Sequence, residues 1–216
     1  FDAALGAAES EDEAAAQTRE TTIAAQGMAV STRLLGQRYH LIVTNPPYLK
    51  AADHGPVLRD YCETNFAGAD NEIANVFLER SLRLCLANGV VQFVMPQNWL
   101  FQTTYRRHRE RLLHQTSINL VARIGSGGFE TISGEVVKVI LFSVTNVTPK
   151  PDHSFIDLDA STPKAIDQKI QALLVGDFSE INQSSQSQNP DSTIGLAFGS
   201  SVALVAKFAK SLQGIS

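Results

Sequence analysis

The segment Leu41-Ile42-Val43-Thr44-Asn45-Pro46-Pro47-Tyr48 joins a short apolar run to two prolines and an aromatic ring. The run from Tyr39 to Thr44 shows no polar alternation at its centre, which predicts a strand covered on both faces. Each proline restricts its own φ and the residue before it, so Asn45 and Pro46 are expected to be extended and rigid. Ligands of open α/β sheets bind at the carboxyl ends of strands. The segment therefore predicts a ligand site.

The residue types of this site suit methyl transfer to a conjugated amine such as that of adenine. The lone pair of such an amine is delocalised, so hydrogen-bond acceptors are needed for the charge that develops on nitrogen during attack on a sulfonium methyl. The Asn45 side-chain oxygen and the Pro46 carbonyl can be those acceptors, and Pro47 fixes their direction. Tyr48 can stack on a base that has left the duplex. The alternative is a proline turn with Tyr48 as a packing residue.

The pattern after the tetrapeptide predicts alternating helices and strands. Apolar spacing predicts a helix over 73–87 that ends at Asn88-Gly89, then a strand over 90–95 that Pro96 stops. Two parallel strands would thus deliver loops to one edge of a sheet. A helix over 105–114 and strands over 118–124 and 136–145 follow, and the last two are expected to pair antiparallel because their connection is short. The fold class is α/β.

The segments outside these predicted strands and helices differ from them in composition. A Ser10 to Glu13 capping box predicts a helix that stops at Gly27, followed by a short helix over 30–35. The polar loop between residues 49 and 72 is expected to close over substrate, with His54 solvated. Prolines mark a surface connection from residue 148 onward. Residues 184–190 are predicted to form a flexible polar linker, and residues 202–209 a helix.

Charge limits the role of this segment in binding nucleic acid. The formal net charge is −4 and the predicted pI is near 5.7, so the segment is not expected to supply most of the affinity for a phosphate backbone. Arg106, Arg107 and Arg109 are the local exception and are candidate phosphate contacts. The alternative is a solvated helix face on which Arg107 pairs with Glu110.

The cysteines and the hydropathy of the sequence argue against a metalloprotein, a secreted protein and a membrane protein. Cys62 and Cys85 lie far apart without metal-type spacing, so we expect buried free thiols and no metal site. A basic leader with an apolar core is absent from the sequence, and no apolar run approaches the length of a membrane span. These features favour a cytoplasmic location.

Four blocks together resemble the amino-methylating (N6) adenine-specific DNA methyltransferases. They are the tetrapeptide Asn45 to Tyr48, the segment Asn75 to Arg80, the segment Gly89 to Leu100, and Phe129 with the later run Gly134 to Leu141. The resemblance covers roughly residues 38–147. Its block order is similar to that of the type II restriction-modification enzymes and the methyltransferases of bacteriophage exclusion.

The resemblance implies a role for each block within a Rossmann-like class I methyltransferase sheet. Asn45 and Pro46 would grip the amine of a flipped adenine in double-stranded DNA, and Tyr48 and Phe129 would stack on its two faces. Phe77, with Asn45, would contact the cofactor S-adenosylmethionine. Pro47 belongs to the same catalytic tetrapeptide.

The resemblance also implies an organisation along the chain. Residues 1–37 would be a helical lead-in, residues 38–147 the C-terminal, catalytic half of the methyltransferase domain, and residues 148–216 a linker and the start of a target-recognition region, which begins a second domain. The family's glycine-rich cofactor loop is not found before the tetrapeptide. We therefore expect a piece of a longer polypeptide, inactive alone and completed by its other parts. A glutamine-side-chain or RNA-base methyltransferase, or a non-catalytic methyltransferase-like module, stays open.

Overall fold

A computed structural model describes residues 2–126 and 137–195, with side chains from residue 16 onward. The chain divides into two compact units, one that ends at Tyr39 and one that begins at His40. Each unit is described by itself below.

The first unit is one long helix, α1, from Asp2 to Gly36. The predicted start at Ser10 and the predicted stop at Gly27 are both wrong, because the helix runs through both positions. A glycine inside a helix costs only about 1 kcal/mol relative to alanine, and the surrounding alanine-rich sequence tolerates that cost. After the helix, the Tyr39 hydroxyl donates to the Leu34 carbonyl at 2.7 Å.

The remaining elements form a sheet with helices. Their bounds are β1 Tyr39–Thr44, α2 Pro56–Asn65, α3 Ile73–Leu84, β2 Cys85–Pro96, α4 Arg106–Gln115, β3 Ser117–Gly125, β4 Val139–Thr145, β5 Ser154–Asp159, α5 Ile166–Val175, β6 Phe178–Asn182 and α6 Gln183–Gln186.

The sheet has six strands in the order β1-β2-β4-β3-β5-β6. Strand β4 is antiparallel to both β2 and β3, β5 is parallel to β3, and β6 is antiparallel to β5. The predicted α/β class and the predicted antiparallel pairing of β3 with β4 are therefore confirmed. Val139 at the start of β4 lies opposite Pro96 on one side and Gly125 on the other.

Strand β1 lies at one end of this sheet, and β2 is its one partner strand among the described residues. Leu41 is 57% exposed and Val43 is 65% exposed. The prediction that both faces of this strand are covered is wrong for the described chain. The apolar run reports the strand correctly, but an apolar sequence cannot show which elements cover it.

The boundary between α3 and β2 also differs from the prediction. The helix ends at Leu84, and Cys85 begins the strand. The Asn146 side chain satisfies the end of the helix by donating to the carbonyls of Leu82 and Cys85 at 3.3 and 3.0 Å. Asn88 has a φ of 63°, so the expected left-handed residue is present, but it lies inside β2. A partner about sixty positions downstream ends this helix, which explains the shift.

The core lies where α3 and α4 supply side chains to the sheet. Trp99 and Phe142 are buried and meet edge to face with ring centroids 5.1 Å apart. His108 is fully buried beside Trp99. Cys62 and Cys85 are buried free thiols, which confirms that prediction.

Residues 154–182 were assigned from sequence to the linker region. They add the strands β5 and β6 to the same sheet, with the helix α5 between them in the chain. Gln183 is buried, and its side chain bonds the Ile118 N–H and the Leu113 carbonyl, both at 2.8 Å. Gln186 is also buried, so the flexible linker predicted over 184–190 is wrong. Polar composition suggested solvent, whereas the Gln183 amide satisfies backbone groups of the core and the Gln186 oxygen accepts from the Asn189 side chain and the Gly195 N–H. The start of a recognition region stays a prediction, and residues 202–209 lie outside the described part.

Candidate active site

The tetrapeptide at the end of β1 divides between the surface and the core. Asn45 and Pro47 are exposed, Pro46 is buried, and Tyr48 is half-buried and packs against the main hydrophobic core. Because the prolines restrict the backbone on either side of the amide, Asn45 is presented to solvent from a rigid corner.

Tyr48 is anchored to the neighbouring strand through its hydroxyl. The hydroxyl lies 3.1 Å from the Val94 carbonyl and 3.3 Å from the Asn45 side-chain oxygen. One proton serves two acceptors, and the shorter distance is to Val94, so the Asn45 oxygen keeps capacity for another donor. Burial, together with the charge of Glu72, raises the pKa of Tyr48 to about 12. The phenol therefore stays a neutral donor that orients its ring.

Glu72 holds the backbone that follows the tetrapeptide. Its carboxylate accepts from the Leu49 N–H at 2.6 Å, and the Leu49 carbonyl accepts from the Ile73 N–H at 3.0 Å. His54 is buried with Nε2 3.1 Å from the same Leu49 carbonyl, so the expectation that it is solvated is wrong. Burial raises the pKa of the Glu72 carboxyl, and backbone N–H donors offset part of this rise. The loop is thus fixed against the amino-terminal end of α3.

A cavity of about 310 Å³ opens beside this loop. It is lined by the loop after β1 (Lys50, Ala51 and Ala52), by the start of α3 (Asn71, Glu72 and Asn75), and by residues at and after the end of β2 (Pro96, Asn98, Trp99, Gln102, Thr104 and Tyr105). The predicted delivery of both loops to one edge is therefore observed. Asn75 and Trp99 are each 1% exposed, and among residues 2–126 and 137–195 neither the Asn75 amide atoms nor Trp99 Nε1 has a hydrogen-bond partner.

Arg109 supports the far wall of this cavity, which the segment Trp99 to Gln102 forms. The guanidinium is fully buried, and its Nη1 donates to the carbonyls of Trp99 and Gln102 at 2.6 and 2.7 Å. Its Nε and Nη2 donate to the carbonyl of Asp191, and Nε also to that of Ser192. The interpretation of Arg109 as a phosphate contact is therefore wrong, because its five N–H···O bonds are made to backbone groups inside the protein.

The other two arginines of this helix remain at the surface. Arg106 pairs with Glu110 at 2.8 Å and lies 3.6 Å from Asp191. The sequence alternative named Arg107 as the partner of Glu110, and the structure gives that role to Arg106. Arg107 is exposed and forms no ion pair among the described residues. Arg106 and Arg107 thus stay candidates for contact with phosphate.

Phe129 lies outside the described residues. The ends of its segment are placed, because Gly125 pairs with Val139 and the Gln97 N–H donates to the Lys138 carbonyl at 3.0 Å. The connection that carries Phe129 therefore starts and finishes at the sheet edge where β2 ends.

Residues 2–126 and 137–195 contain neither a candidate metal site nor a helix suited to a membrane. No cluster of histidine, cysteine, aspartate or glutamate there could hold a metal ion. No helix in those ranges is long and apolar enough to cross a membrane.

Comparison with protein families identifies the family of the chain. A model of the Eco57I restriction-modification methylase family matches residues 6–129, which is more than half of the chain. The chain belongs to this family.

Two curated relatives place this Eco57I-type methylase chain among much longer proteins. It is 30% identical over 112 residues to the adenine-specific methyltransferase PglX of Lacticaseibacillus casei (strain Zhang). It is 29% identical over 113 residues to the adenine-specific methyltransferase BrxX of Escherichia coli O9:H4 (strain HS). Each match covers 52% of this chain and 9% of the relative, so the chain spans about a tenth of their length.

Solved structures show the fold of this Eco57I-type chain. A component of a type I restriction-modification system covers 82% of the chain and 42% of its own, with a TM-score of 0.57 at 15% identity. The type I methyltransferase subunit from Streptococcus thermophilus covers 73% of the chain and 37% of its own, with a TM-score of 0.52 at 16% identity. The match to LlaGI, solved with a DNA substrate mimic, covers 75% of this chain and 18% of LlaGI, with a TM-score of 0.53 at 13% identity. The fold is the Rossmann-like sheet of these methyltransferases.

Membership of a methyltransferase family implies a methyl donor. Phe77, predicted to contact that donor, is 41% exposed on α3 while its neighbours Val76 and Leu78 are buried. An exposed aromatic ring at this position is available to a planar group. Asn45 lines a second depression of about 450 Å³ on the sheet face, together with Val43 and parts of β2, β3 and β4. Phe77 and Asn45 thus stay predicted contacts of the methyl donor.

Sequence reasoning missed the place of three residues in the site and gave a fourth, Arg109, a different role. Glu72, Asn75 and Trp99 line the cavity, and Arg109 supports its wall. Asn75 carried a signal, because it is a polar residue within an apolar helical pattern. Glu72 and Arg109 carried none, since an acid in a polar loop and an arginine in an arginine-rich helix both suggest solvent.

Proposed function

We propose that this chain is the catalytic part of an S-adenosylmethionine-dependent enzyme that methylates the exocyclic amine of adenine in DNA. The parent protein would belong to a bacterial restriction-modification or phage-defence system. The observation that carries the proposal is the exposed Asn45 amide, held at a proline corner beside an anchored Tyr48. Its support is the Eco57I family match and the adenine-specific names of the relatives.

Asn45 is proposed to act on the transition state. Its side-chain oxygen and the Pro46 carbonyl accept the two N–H protons of the amine as positive charge develops on nitrogen. The cofactor supplies an electrophilic methyl group. Because the Tyr48 proton is satisfied at the Val94 carbonyl, it competes only weakly for the Asn45 oxygen.

Tyr48 and Phe129 are proposed to hold the flipped base between them. The Tyr48 ring is fixed at one end by its hydroxyl and at the other by the proline corner, so it offers a preformed stacking surface. The described residues on either side of the segment that carries Phe129 lie at the same sheet edge. Double-stranded DNA with an extruded adenine is the proposed partner, with Arg106 and Arg107 near its phosphates.

The test uses the whole parent protein and the substitution Asn45→Ala. Removal of one preorganised polar group of this kind typically lowers kcat by about 10² to 10³. Affinity for S-adenosylmethionine, measured by calorimetry, should stay within about twofold because the lost acceptor acts on the transition state. Asn65→Ala, an exposed position on α2, is the matched control and should methylate normally.

The readout is N6-methyladenine in plasmid DNA, located to one sequence. Methylation of a protein glutamine or of RNA by the parent, with unmodified plasmid adenine, would replace the proposal with one of its rivals. An intact parent that binds no S-adenosylmethionine would instead identify a non-catalytic module.

A further inference from the structure

The proposed chemistry assigns no part to Glu72, although its carboxylate is bonded to the chain directly after the tetrapeptide. Glu72 is 9% exposed. Its carboxylate accepts from the N–H of Leu49, the residue after Tyr48, at 2.6 Å, which is short for a bond from a backbone N–H. A charge inside a protein costs free energy unless it is paired or hydrogen-bonded. The bond that offsets this cost therefore goes to the catalytic segment.

The backbones of the same two segments are also paired. Lys50 and Glu72 form an antiparallel bridge, and as part of it the Ile73 N–H donates to the Leu49 carbonyl at 3.0 Å. We call this bridge, together with the bond from the Leu49 N–H to the Glu72 carboxylate, the Glu72 clamp. A substitution can remove the side-chain bond of the clamp and leave the backbone bridge in place.

The clamp joins the segment that carries Tyr48 to the helix that carries Phe77. Tyr48 precedes Leu49 in the chain, and its hydroxyl donates to the Val94 carbonyl at 3.1 Å. Glu72 is the N-cap residue of α3, and Phe77 is the fifth residue of that helix. A helix transmits displacement as a rigid element. The position of its first turn relative to Leu49 therefore sets the separation of Phe77, the predicted donor contact, from Tyr48, the predicted base contact.

The charge of Glu72 also acts on two nearby tyrosines. Burial raises the pKa of Tyr48 and that of Tyr105 to about 12, and the Glu72 carboxylate adds to the rise in each. Lys50 and His54 are the basic groups whose charge acts on Glu72 in turn. The carboxylate thus lies within electrostatic reach of the Tyr48 phenol as well as in contact with the backbone that follows it.

We propose that Glu72 is a positioning residue for methyl transfer, which fixes the segment of Tyr48 against α3 through the Leu49 N–H. The inference rests on the proposed function. The Tyr48 ring holds the base and α3 presents Phe77 to the methyl donor, so the clamp sets the alignment of amine and methyl group. Displacement of a reacting group by about 1 Å can lower a rate by about 10². Glu72 is assigned no contact with either reactant, which distinguishes it from the catalytic Asn45.

Amide hydrogen exchange in the 216-residue chain tests the contact without any methyl transfer. Glu72→Ala should speed exchange of the Leu49 N–H by about tenfold or more, because it removes a hydrogen bond to a charged group. The Phe142 N–H, in the buried centre of the sheet, should keep its protection. Glu72→Gln keeps an oxygen acceptor and should preserve most of the protection at Leu49. Glu63→Ala removes an exposed carboxylate of α2 and is the matched control.

Methylation by the whole parent protein tests the positioning role. Glu72→Ala should lower kcat by about 10- to 100-fold while KM for S-adenosylmethionine changes by less than about threefold, because Phe77 is kept and only alignment is lost. Glu72→Gln should restore kcat to within about threefold of the wild type, and Glu63→Ala should methylate normally. A merely structural role would instead lower the thermal midpoint and leave kcat per folded molecule unchanged.

Glu72→Asp keeps the charge and shortens the side chain by one methylene, so it separates position from charge. Aspartate is a favourable residue at the start of a helix, so this variant is expected to fold. Its kcat per folded molecule should fall by at least about fivefold, and the Leu49 N–H should exchange faster than in the wild type. Should Glu72→Ala fail to fold, Glu72→Asp provides the test in its place.

Wild-type exchange of the Leu49 N–H in the folded variant, Glu72→Ala or Glu72→Asp, overturns the inference. Unchanged kcat per folded molecule in that variant refutes the positioning role alone. Loss of kcat in Glu72→Gln with Leu49 still protected would assign the effect to charge and would also overturn the positioning role. Absence of adenine methylation by the wild-type parent would refute the proposed function instead, and the exchange rates would still decide whether the clamp exists.

Discussion

Replacement of Arg109 by methionine should destabilise the fold more than any other change in the arginine-rich helix. The guanidinium donates to four backbone carbonyls, those of Trp99, Gln102, Asp191 and Ser192. The Gln102 carbonyl keeps a second backbone donor, so three carbonyls lose their partner at about 1 to 3 kcal/mol each. The loss is partly offset because the variant no longer has to bury a charged guanidinium, which itself costs free energy. We expect a net loss of about 3 kcal/mol.

Urea unfolding of the 216-residue chain measures this loss. With a slope of about 2 kcal/mol per molar urea, the midpoint should fall by about 1.5 M while the slope stays constant. Arg107→Met is the control, since Arg107 is exposed on the same helix, and it should change stability by less than about 0.5 kcal/mol. Arg109→Lys should lie between wild type and Arg109→Met because it keeps the charge but not the planar array of donors. If Arg109→Met lowers the free energy of unfolding no more than Arg107→Met does, Arg109 does not stabilise the fold through these carbonyls.

Substitutions at three further residues test other contacts. Tyr48→Phe should cost about 1 kcal/mol of stability, because it removes the hydrogen bond to the Val94 carbonyl, and it should retain base stacking. Tyr48→Ala should also weaken binding of the flipped base by about 1 to 3 kcal/mol. Fluorescence of 2-aminopurine in DNA bound to the parent protein measures this binding. Burial lowers the pKa of His108, so below the ordinary value of about 6.5 the unfolded chain takes up a proton that the folded chain does not. The urea midpoint should therefore fall between pH 7 and pH 5, and it should fall less in His108→Gln. An equal fall in both proteins would show that His108 does not cause this pH dependence. Arg123→Met should leave the buried Asp157 carboxylate unpaired and cost about 3 to 5 kcal/mol at pH 7. Burial already raises the pKa of Asp157, so this deficit should shrink at pH 4 as the carboxyl protonates, and a deficit independent of pH would contradict the pairing.

The features that sequence predicted are those that local chemistry determines. The proline corner at Asn45 is one, because Pro46 and Pro47 restrict the backbone wherever they occur. The antiparallel pairing of β3 with β4 is another, because a short connection leaves no room for a crossover. The left-handed Asn88 was also predictable as a conformation, though not as part of a strand.

The features that sequence missed depend on partners far along the chain. Arg109 is buried because carbonyls more than eighty residues away, at Asp191 and Ser192, accept its protons. Gln183, directly before the segment predicted as a polar linker, is buried because its partners in the core, Ile118 and Leu113, are about seventy residues upstream. Composition near each residue suggested solvent in both cases. Such long-range pairs are visible only in three dimensions.

The end position of β1 has a consequence for handling the chain in solution. Its outer edge has no neighbouring strand among the described residues, and the large side chains of Leu41 and Val43 are exposed on one face of the strand. Unpaired, apolar strand edges are templates for association with further extended chains. Purified material should consequently self-associate as its concentration rises, and a charged residue in place of Val43 should keep it monodisperse in light scattering.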